Sequence, residues 1–294
     1  MKNKQWYCRW SPTLGELEST HKKVWGTKTY NPKKHSELPT VFFGVYGLPD
    51  FFALWRHKGE RAILWCGTDI QHLNHNYWLE DGGAIVLHNG GMREWINKYC
   101  TSYVENVAEQ ELLAQMGIDS KIVPSFLGDI NKFKITYEHA ERPLVYSSVS
   151  GDNFEQYGWD VIERVASKCN VDFHLYGNKA EWITTNPNVF VHGRVPKEQM
   201  NEEIEKMQCG LRPLEFDGFS EVLAKAILSG QYAISRIPYP DLTLSYTNDD
   251  ELILQLNKLQ DYKLPNYTSR EILIREVNRY PWSTKFVSET GRGK

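Results

Sequence analysis

Short, unbroken apolar runs that end in polar turns recur along the whole chain, and they constrain the fold more than any other feature. Thr40-Val-Phe-Phe-Gly-Val-Tyr46, Arg61-Ala-Ile-Leu-Trp-Cys66, Gly83-Ala-Ile-Val-Leu87, Pro143-Leu-Val-Tyr-Ser147 and Tyr232-Ala-Ile-Ser235 are the clearest. A strand with one solvated face would alternate apolar and polar residues. Runs without alternation belong to strands covered on both faces, as in a parallel sheet between helices. Stretches of helical period separate them: Phe51–His57, Met92–Lys98, the segment from Asn106 to Gly117, Gly158–Lys168, Lys197–Met207, Ser220–Ser229, Asp249–Leu259 and Ser269–Val277. Strand and helix in alternation predict βαβ units, hence an α/β fold.

The pattern pauses once. Gly128–Arg142 is polar and lacks periodicity, so it reads as a linker, and the 294 residues suffice for two cores. The expected organisation is an N-terminal βα domain over residues 1–135, a second over 136–278, and a closing helix over 279–294. No run approaches the roughly 20 apolar residues that cross a bilayer, and the start has no apolar signal-peptide core. The five cysteines are widely spaced and form no CxxC pair, which fits reduced thiols in a cytoplasm. His72 and His75 lack a carboxylate at a ligand position, so no metal site is expected.

Charge is uneven. The first 35 residues carry Lys2, Lys4, Arg9, Lys22, Lys23, Lys28, Lys33 and Lys34 against only Glu16 and Glu18, interleaved with Trp6, Tyr7, Trp10, Trp25 and Tyr30. Basic groups beside aromatic rings suit an anionic partner with flat rings, such as duplex DNA. The competing interpretation is a solvated basic edge whose tryptophans are core. Arg9, Trp10, Lys22 and Lys23 are the candidate acceptor contacts.

The most informative segment runs from Leu211 to Gly230: a strand, a polar turn with Gly218, and a helix starting near Ser220. Open parallel sheets bind ligands outside the carboxyl ends of their strands, and a helix start offers free N–H groups to phosphate. Arg212 would supply a cation there and Asp217 a carboxylate for hydroxyls. Glu221 suits the positive end of the helix dipole. Asp69 would either cap its turn or meet a sugar, and His88, after a strand, would face substrate or sit in a loop.

This segment resembles the donor-binding motif of GT-B glycosyltransferases, especially the family 4-like enzymes. Asp217-Gly218-Phe219 matches the acidic-Gly-Phe start of that motif, and Gly230 its closing glycine. Lys225 stands where the family has a second Glu that accepts hydrogen bonds from ribose; an ammonium only donates. Trp65-Cys-Gly-Thr-Asp69, the helix from Asn106, Val123-Pro124, His192-Gly-Arg194-Val-Pro-Lys197 and Tyr280-Pro-Trp282-Ser resemble other family segments in the same order. The basic residue usual after the first strand of the second domain is replaced by Ser147-Ser-Val-Ser-Gly-Asp152.

The resemblance implies two Rossmann-like βα domains facing a cleft. It also implies sugar transfer from a nucleotide diphosphate sugar with retention, without metal or other cofactor. Ser148, Gly177, Arg194, Gly218, Phe219, Ser220, Glu221 and Lys225 would bind donor, and Asp69, His88, Arg212 and Asp217 would serve catalysis. The acceptor would be a glycan or lipid-linked intermediate, or a hydroxymethylated base in DNA as in phage DNA glycosyltransferases. A degenerate fold that binds nucleotide or sugar without turnover is the alternative.

Overall fold

The computed structural model describes residues 4–75, 89–149, 151, 153–177 and 182–283. The strand expected over Gly83–Leu87 and the candidate His88 lie outside these residues. The chain divides into two compact units, Met1–Gly128 with the segment from Glu276 onward, and Asp129–Arg275. The division precedes the 135/136 boundary expected from the linker because the linker's first half already bonds into the second unit, where Arg270 Nη2 donates to the Phe133 carbonyl at 3.2 Å. The Thr136 N–H donates to the Ser229 carbonyl at 3.0 Å, and the Tyr137 hydroxyl to the Tyr262 carbonyl at 2.6 Å.

The first unit contains, in chain order, β1 (Tyr7–Trp10), α1 (Glu18–Trp25), β2 (Lys28–Thr29), α2 (Pro32–His35), β3 (Thr40–Phe43), α3 (Leu48–Arg56), β4 (Arg61–Leu64), α4 (Thr68–Asn74), α5 (Asn89–Tyr99), β5 (Thr101–Val104), α6 (Val107–Gln115) and β6 (Ser120–Ile122). Its strands form one sheet in the order β2-β1-β3-β4-β5-β6, every pair parallel. Successive residues of β3 go to opposite faces. Phe42 packs with Phe51, Leu54 and Ile70 on one side, while Val41 and Phe43 pack with Trp25, Tyr103 and Trp282 on the other. Both faces are therefore buried, which is why the run carries no polar alternation.

Glu276–Ser283 is tied into this first unit. Asn278, at φ 57°, accepts from Trp25 Nε1 at 3.2 Å and from the Phe126 N–H at 3.1 Å, and its amide donates back to the Phe126 carbonyl. The Tyr280 hydroxyl donates to the Val123 carbonyl at 2.7 Å, and the rings of Tyr280 and Trp282 stack with centroids 4.5 Å apart. Of the closing helix expected over 279–294, the described residues 279–283 form an irregular stretch and a turn, held by these side-chain contacts.

The second unit contains β7 (Leu144–Ser148), α7 (Trp159–Val165), β8 (Asp172–Tyr176), β9 (Val189–Gly193), α8 (Lys197–Ile204), β10 (Cys209–Arg212), α9 (Glu221–Leu228), β11 (Tyr232–Ser235), β12 (Leu244–Ser245), α10 (Asp249–Lys258) and α11 (Tyr267–Glu276). The sheet order is β12-β11-β10-β7-β8-β9, again all parallel. Val145, Phe173, Leu175, Leu211 and Ile234 pack with Trp159, Ile162 and Leu252 in its core. From β7 the chain winds outward through β8 and β9, then returns to β10 and winds the other way. The order reverses between β7 and β10, and at such a point the loops separate and leave a crevice at the strands' carboxyl ends.

Candidate functional site

Ser148 closes β7 and Arg212 closes β10, so the two residues flank the reversal point of the second sheet. Arg212 is fixed from three directions. Its Nη1 donates to the Ser148 carbonyl at 3.0 Å, Nε and Nη2 both reach Asp217 Oδ2 at 2.8 Å, and its guanidinium lies 4.4 Å from the Tyr157 ring centre. The side chain is 11% exposed and that of Asp217 25%. The sequence led to an open cation at the rim; the structure instead has a charge already paired with the carboxylate of its own turn. Arginine carries five N–H donors, so this arrangement orients the fork without using all of it.

The loop before α7 makes this possible. Gly158 has φ 75°, and a Cβ there would lie 2.6 Å from Pro213 Cβ. Glycine alone admits both the left-handed backbone and the close approach that sets Tyr157 beneath the guanidinium. Gly158→Ala is expected to cost about 1–3 kcal/mol, read as a fall in Tm; an unchanged Tm would contradict this account of the loop.

After Asp217, the Gly218 carbonyl accepts from the Tyr239 hydroxyl, and the Phe219 ring meets Tyr239 edge-on at 5.1 Å. Phe219 is buried, so it anchors the turn. Ser220 caps α9, its hydroxyl accepting from the Val222 N–H at 3.2 Å. Lys225, one turn further, is buried, with its ammonium 3.3 Å from Glu221 Oε2.

Beside Arg212 opens a pocket of about 410 Å³, lined by Ser148, Tyr176, Gly177, Gly193, Arg194 and Met200 among others. These residues come from the carboxyl ends of β7, β8 and β9 and from α8. The volume lies within the ordinary range for small-molecule sites. A Cβ on Gly177 would sit 2.8 Å from Val149 Cγ1 and 3.0 Å from Trp159 Cη2, so the wall is shaped around its absence. Tyr176 donates to Glu203 Oε2 at 2.6 Å. Burial, then that carboxylate, raises the Tyr176 pKa, and the same hydroxyl lowers that of Glu203. Next to Gly193, His192 Nε2 is 2.9 Å from His174 Nδ1; burial and the second imidazole lower the His174 pKa.

The candidates of the first unit fare differently. Asp69 is fully buried, and its carboxylate receives the N–H groups of Val45, Cys66 and Ile70, each at 2.9 Å. It braces the ends of β3 and β4, the capping role weighed from the sequence. Burial pushes its pKa up to about 7 against those three donors. Arg9 does not project toward a partner: its Nη1 is 2.6 Å from Asp50 Oδ1, and Asp50 also accepts from the Ser11 hydroxyl and the Tyr46 N–H. Trp10 packs edge-on against Phe43 at 4.8 Å. Lys22 and Lys23 lie exposed on α1. His72 meets the Tyr46 carbonyl at 3.2 Å, and among the described residues no group of three or more potential ligands is placed to hold a metal.

Sequence reasoning missed Tyr157, Tyr176 and Met200. Tyr176, next to a strand-end glycine, carried a faint signal; Tyr157 and Met200 carried none, because only the fold brings their loops and helix to the same edge.

No protein-family model matches the chain, and no curated protein matches its sequence. Solved structures share its fold. TarM from S. aureus, determined with UDP and alpha-GlcNAc-glycerol, aligns at TM-score 0.60 and 15% identity over 94% of this chain and 57% of that one. The chain thus spans little more than half of TarM. The lipopolysaccharide outer core galactosyltransferase WaaB aligns at 0.60 and 11% identity over 99% of both chains. HepE from Anabaena, determined with UDP and glucose, aligns at 0.56 and 11% identity over 99% of this chain and 100% of its own. These are GT-B glycosyltransferases, and two six-stranded parallel α/β sheets are the architecture this chain shares with them.

Proposed function

We propose that the chain is a glycosyltransferase that takes its sugar from a nucleotide diphosphate donor held at the carboxyl edge of the second sheet. One observation carries this reading: a pocket of about 410 Å³ adjoins a rigidly oriented arginine at the point where the strand order reverses. The nucleoside would occupy the space between Gly177 and Arg194, with the diphosphate beside Arg212 and the capped start of α9. Lys225 would replace the acceptor group of a glutamate with a donor, favouring phosphate or a ribose oxygen. The acceptor hydroxyl oxygen would form a bond to the anomeric carbon as the bond to the diphosphate breaks. Its proton would pass to the departing phosphate, consistent with retention and with no metal or other cofactor. Arg212 and the α9 dipole would stabilise the charge on the leaving group.

The acceptor on this reading is a glycan or lipid-linked intermediate, or a hydroxymethylated base in DNA, and the reaction belongs to the cytoplasm. Among the described residues no helix is long and apolar enough to cross a membrane. Salt dependence separates the acceptors, since binding to duplex DNA weakens steeply as salt rises. A second reading, binding without turnover, is favoured by the internal pairing of Arg212 with Asp217 and of Lys225 with Glu221. Release of nucleotide from sugar nucleotides without acceptor decides between them. Slow release that depends on Arg212 is the expected result, and its absence with every donor that binds would favour the second reading. NMR of the first-formed product reads the anomeric outcome, and an inverted product would contradict retention.

A further inference from the structure

We infer that Tyr157 is a positioning residue: its ring holds the Arg212 guanidinium in the plane that receives the outer phosphate of a nucleoside diphosphate, and so sets the site's preference for diphosphate over monophosphate. The inference rests on the donor reading and deepens it. Arginine presents five N–H donors in one plane. The protein takes three of them: Nε and Nη2 go to Asp217 Oδ2, and Nη1 to the Ser148 carbonyl. Among the described residues two donors remain, one on Nη1 and one on Nη2. Such a pair can grip two oxygens side by side.

Asp217 and the Ser148 carbonyl meet the guanidinium at its edges, and edge contacts resist tilting least. The Tyr157 ring, 4.4 Å from the guanidinium carbon, covers a face and opposes that tilt. The ring is itself held from behind. The Tyr157 N–H donates to the Asn153 carbonyl at 3.0 Å, that of Gly158 to Glu155 at 2.8 Å and that of Trp159 to Phe154 at 3.1 Å. Phe154 packs on the fully buried Trp159 with ring centres 4.9 Å apart.

The same turn backs the far end of the pocket. A Cβ on Gly177 would meet Trp159 Cη2 at 3.0 Å and Phe154 Cε1 at 3.4 Å. Residues 153–159 therefore touch both the pocket wall at Gly177 and the arginine beside it, which fixes the span between the nucleoside end and the phosphate end. The Tyr157 hydroxyl makes no hydrogen bond among the described residues, so the position uses the ring face and not the polar tip.

Calorimetric titration of the full chain with the di- and monophosphates of uridine, cytidine, thymidine, adenosine and guanosine tests this, the tightest pair being carried into the variants. Tyr157→Leu is expected to weaken the diphosphate about fivefold and to leave the monophosphate within about twofold. Tyr157→Phe keeps the ring face and is expected to bind both as the wild type does. Adding Tyr157→Leu to Arg212→Ala should cost nothing further, because the ring acts through the guanidinium. A purely structural tyrosine would instead lower Tm and weaken both nucleotides alike. Equal weakening of both, no weakening in Tyr157→Leu, the same loss in Tyr157→Phe, or a further loss in the Arg212→Ala background would overturn the inference and leave the donor reading standing. No binding of any nucleotide by the wild type would overturn both. If Tyr157→Leu fails to fold, Tyr157→Met fills the space without a ring face and takes its place; if Arg212→Ala fails to fold, the single variants decide.

Discussion

Asp69→Ala is expected to destabilise the chain by about 3 kcal/mol or more in urea unfolding. The carboxylate accepts the N–H groups of Val45, Cys66 and Ile70 at a site with no solvent access, so truncation leaves three buried donors without an acceptor. Asp69→Asn is a sharper probe. Oδ1, which serves Cys66 and Ile70, survives, but an amide nitrogen would face the Val45 N–H, donor against donor. The pH dependence follows from burial, which raises the folded pKa to about 7, well above the ordinary carboxylate range. The native state therefore holds its proton more tightly than the unfolded chain. This contribution is fully present below the unfolded pKa and is lost as pH rises toward 7, so stability should fall across that window and level off above it. Asp69→Asn should remove that slope, and a slope that persists in the variant would contradict the assignment.

Arg212→Ala is expected to lower turnover about 100-fold or more, the scale on which a single oriented donor to a developing anion acts. Besides any ligand the side chain meets the Asp217 carboxylate, the Ser148 carbonyl and the Tyr157 ring, so truncation also breaks a partly buried ion pair and should lower Tm. Arg212→Lys separates the effects. It keeps the charge near Asp217 but not the planar fork that holds both Asp217 and Ser148, so the chain should stay folded while turnover drops. Wild-type turnover in a folded Arg212→Lys protein would show that point charge suffices and that the fixed orientation is irrelevant.

Much of this was legible in the sequence because it is local. The runs Thr40–Tyr46 and Arg61–Cys66 read as doubly covered strands, and Arg212 and Asp217 lie on one strand-turn unit, where proximity in the chain is proximity in space. The first 35 residues were read less well. β2 is two exposed residues, and α2 is a single turn started by Pro32 and capped by Asn31, so neither leaves an apolar period to find. Arg9 and Trp10 looked like surface contacts because their partners, Asp50 and Phe43, are more than thirty residues away. The resemblance pointed to Ser148, Gly177 and Arg194 at the pocket, but the rest of its walls was hidden for the same reason: they come from three strand ends and a helix, joined only by the parallel register of β7, β8 and β9.

The central claim is that the second unit holds a nucleotide diphosphate in the pocket beside Arg212, and a thermal-unfolding screen of nucleoside diphosphates and their sugars tests it most directly. At about 100 times its dissociation constant a ligand stabilises by about 2.7 kcal/mol, a shift of several degrees. The account predicts such a shift with the nucleotides of one base, and its loss in a folded Gly177→Val variant, whose side chain would crowd Val149 and Trp159 at the pocket wall. No shift with any nucleotide, or an equal shift in the Gly177→Val protein, would contradict it.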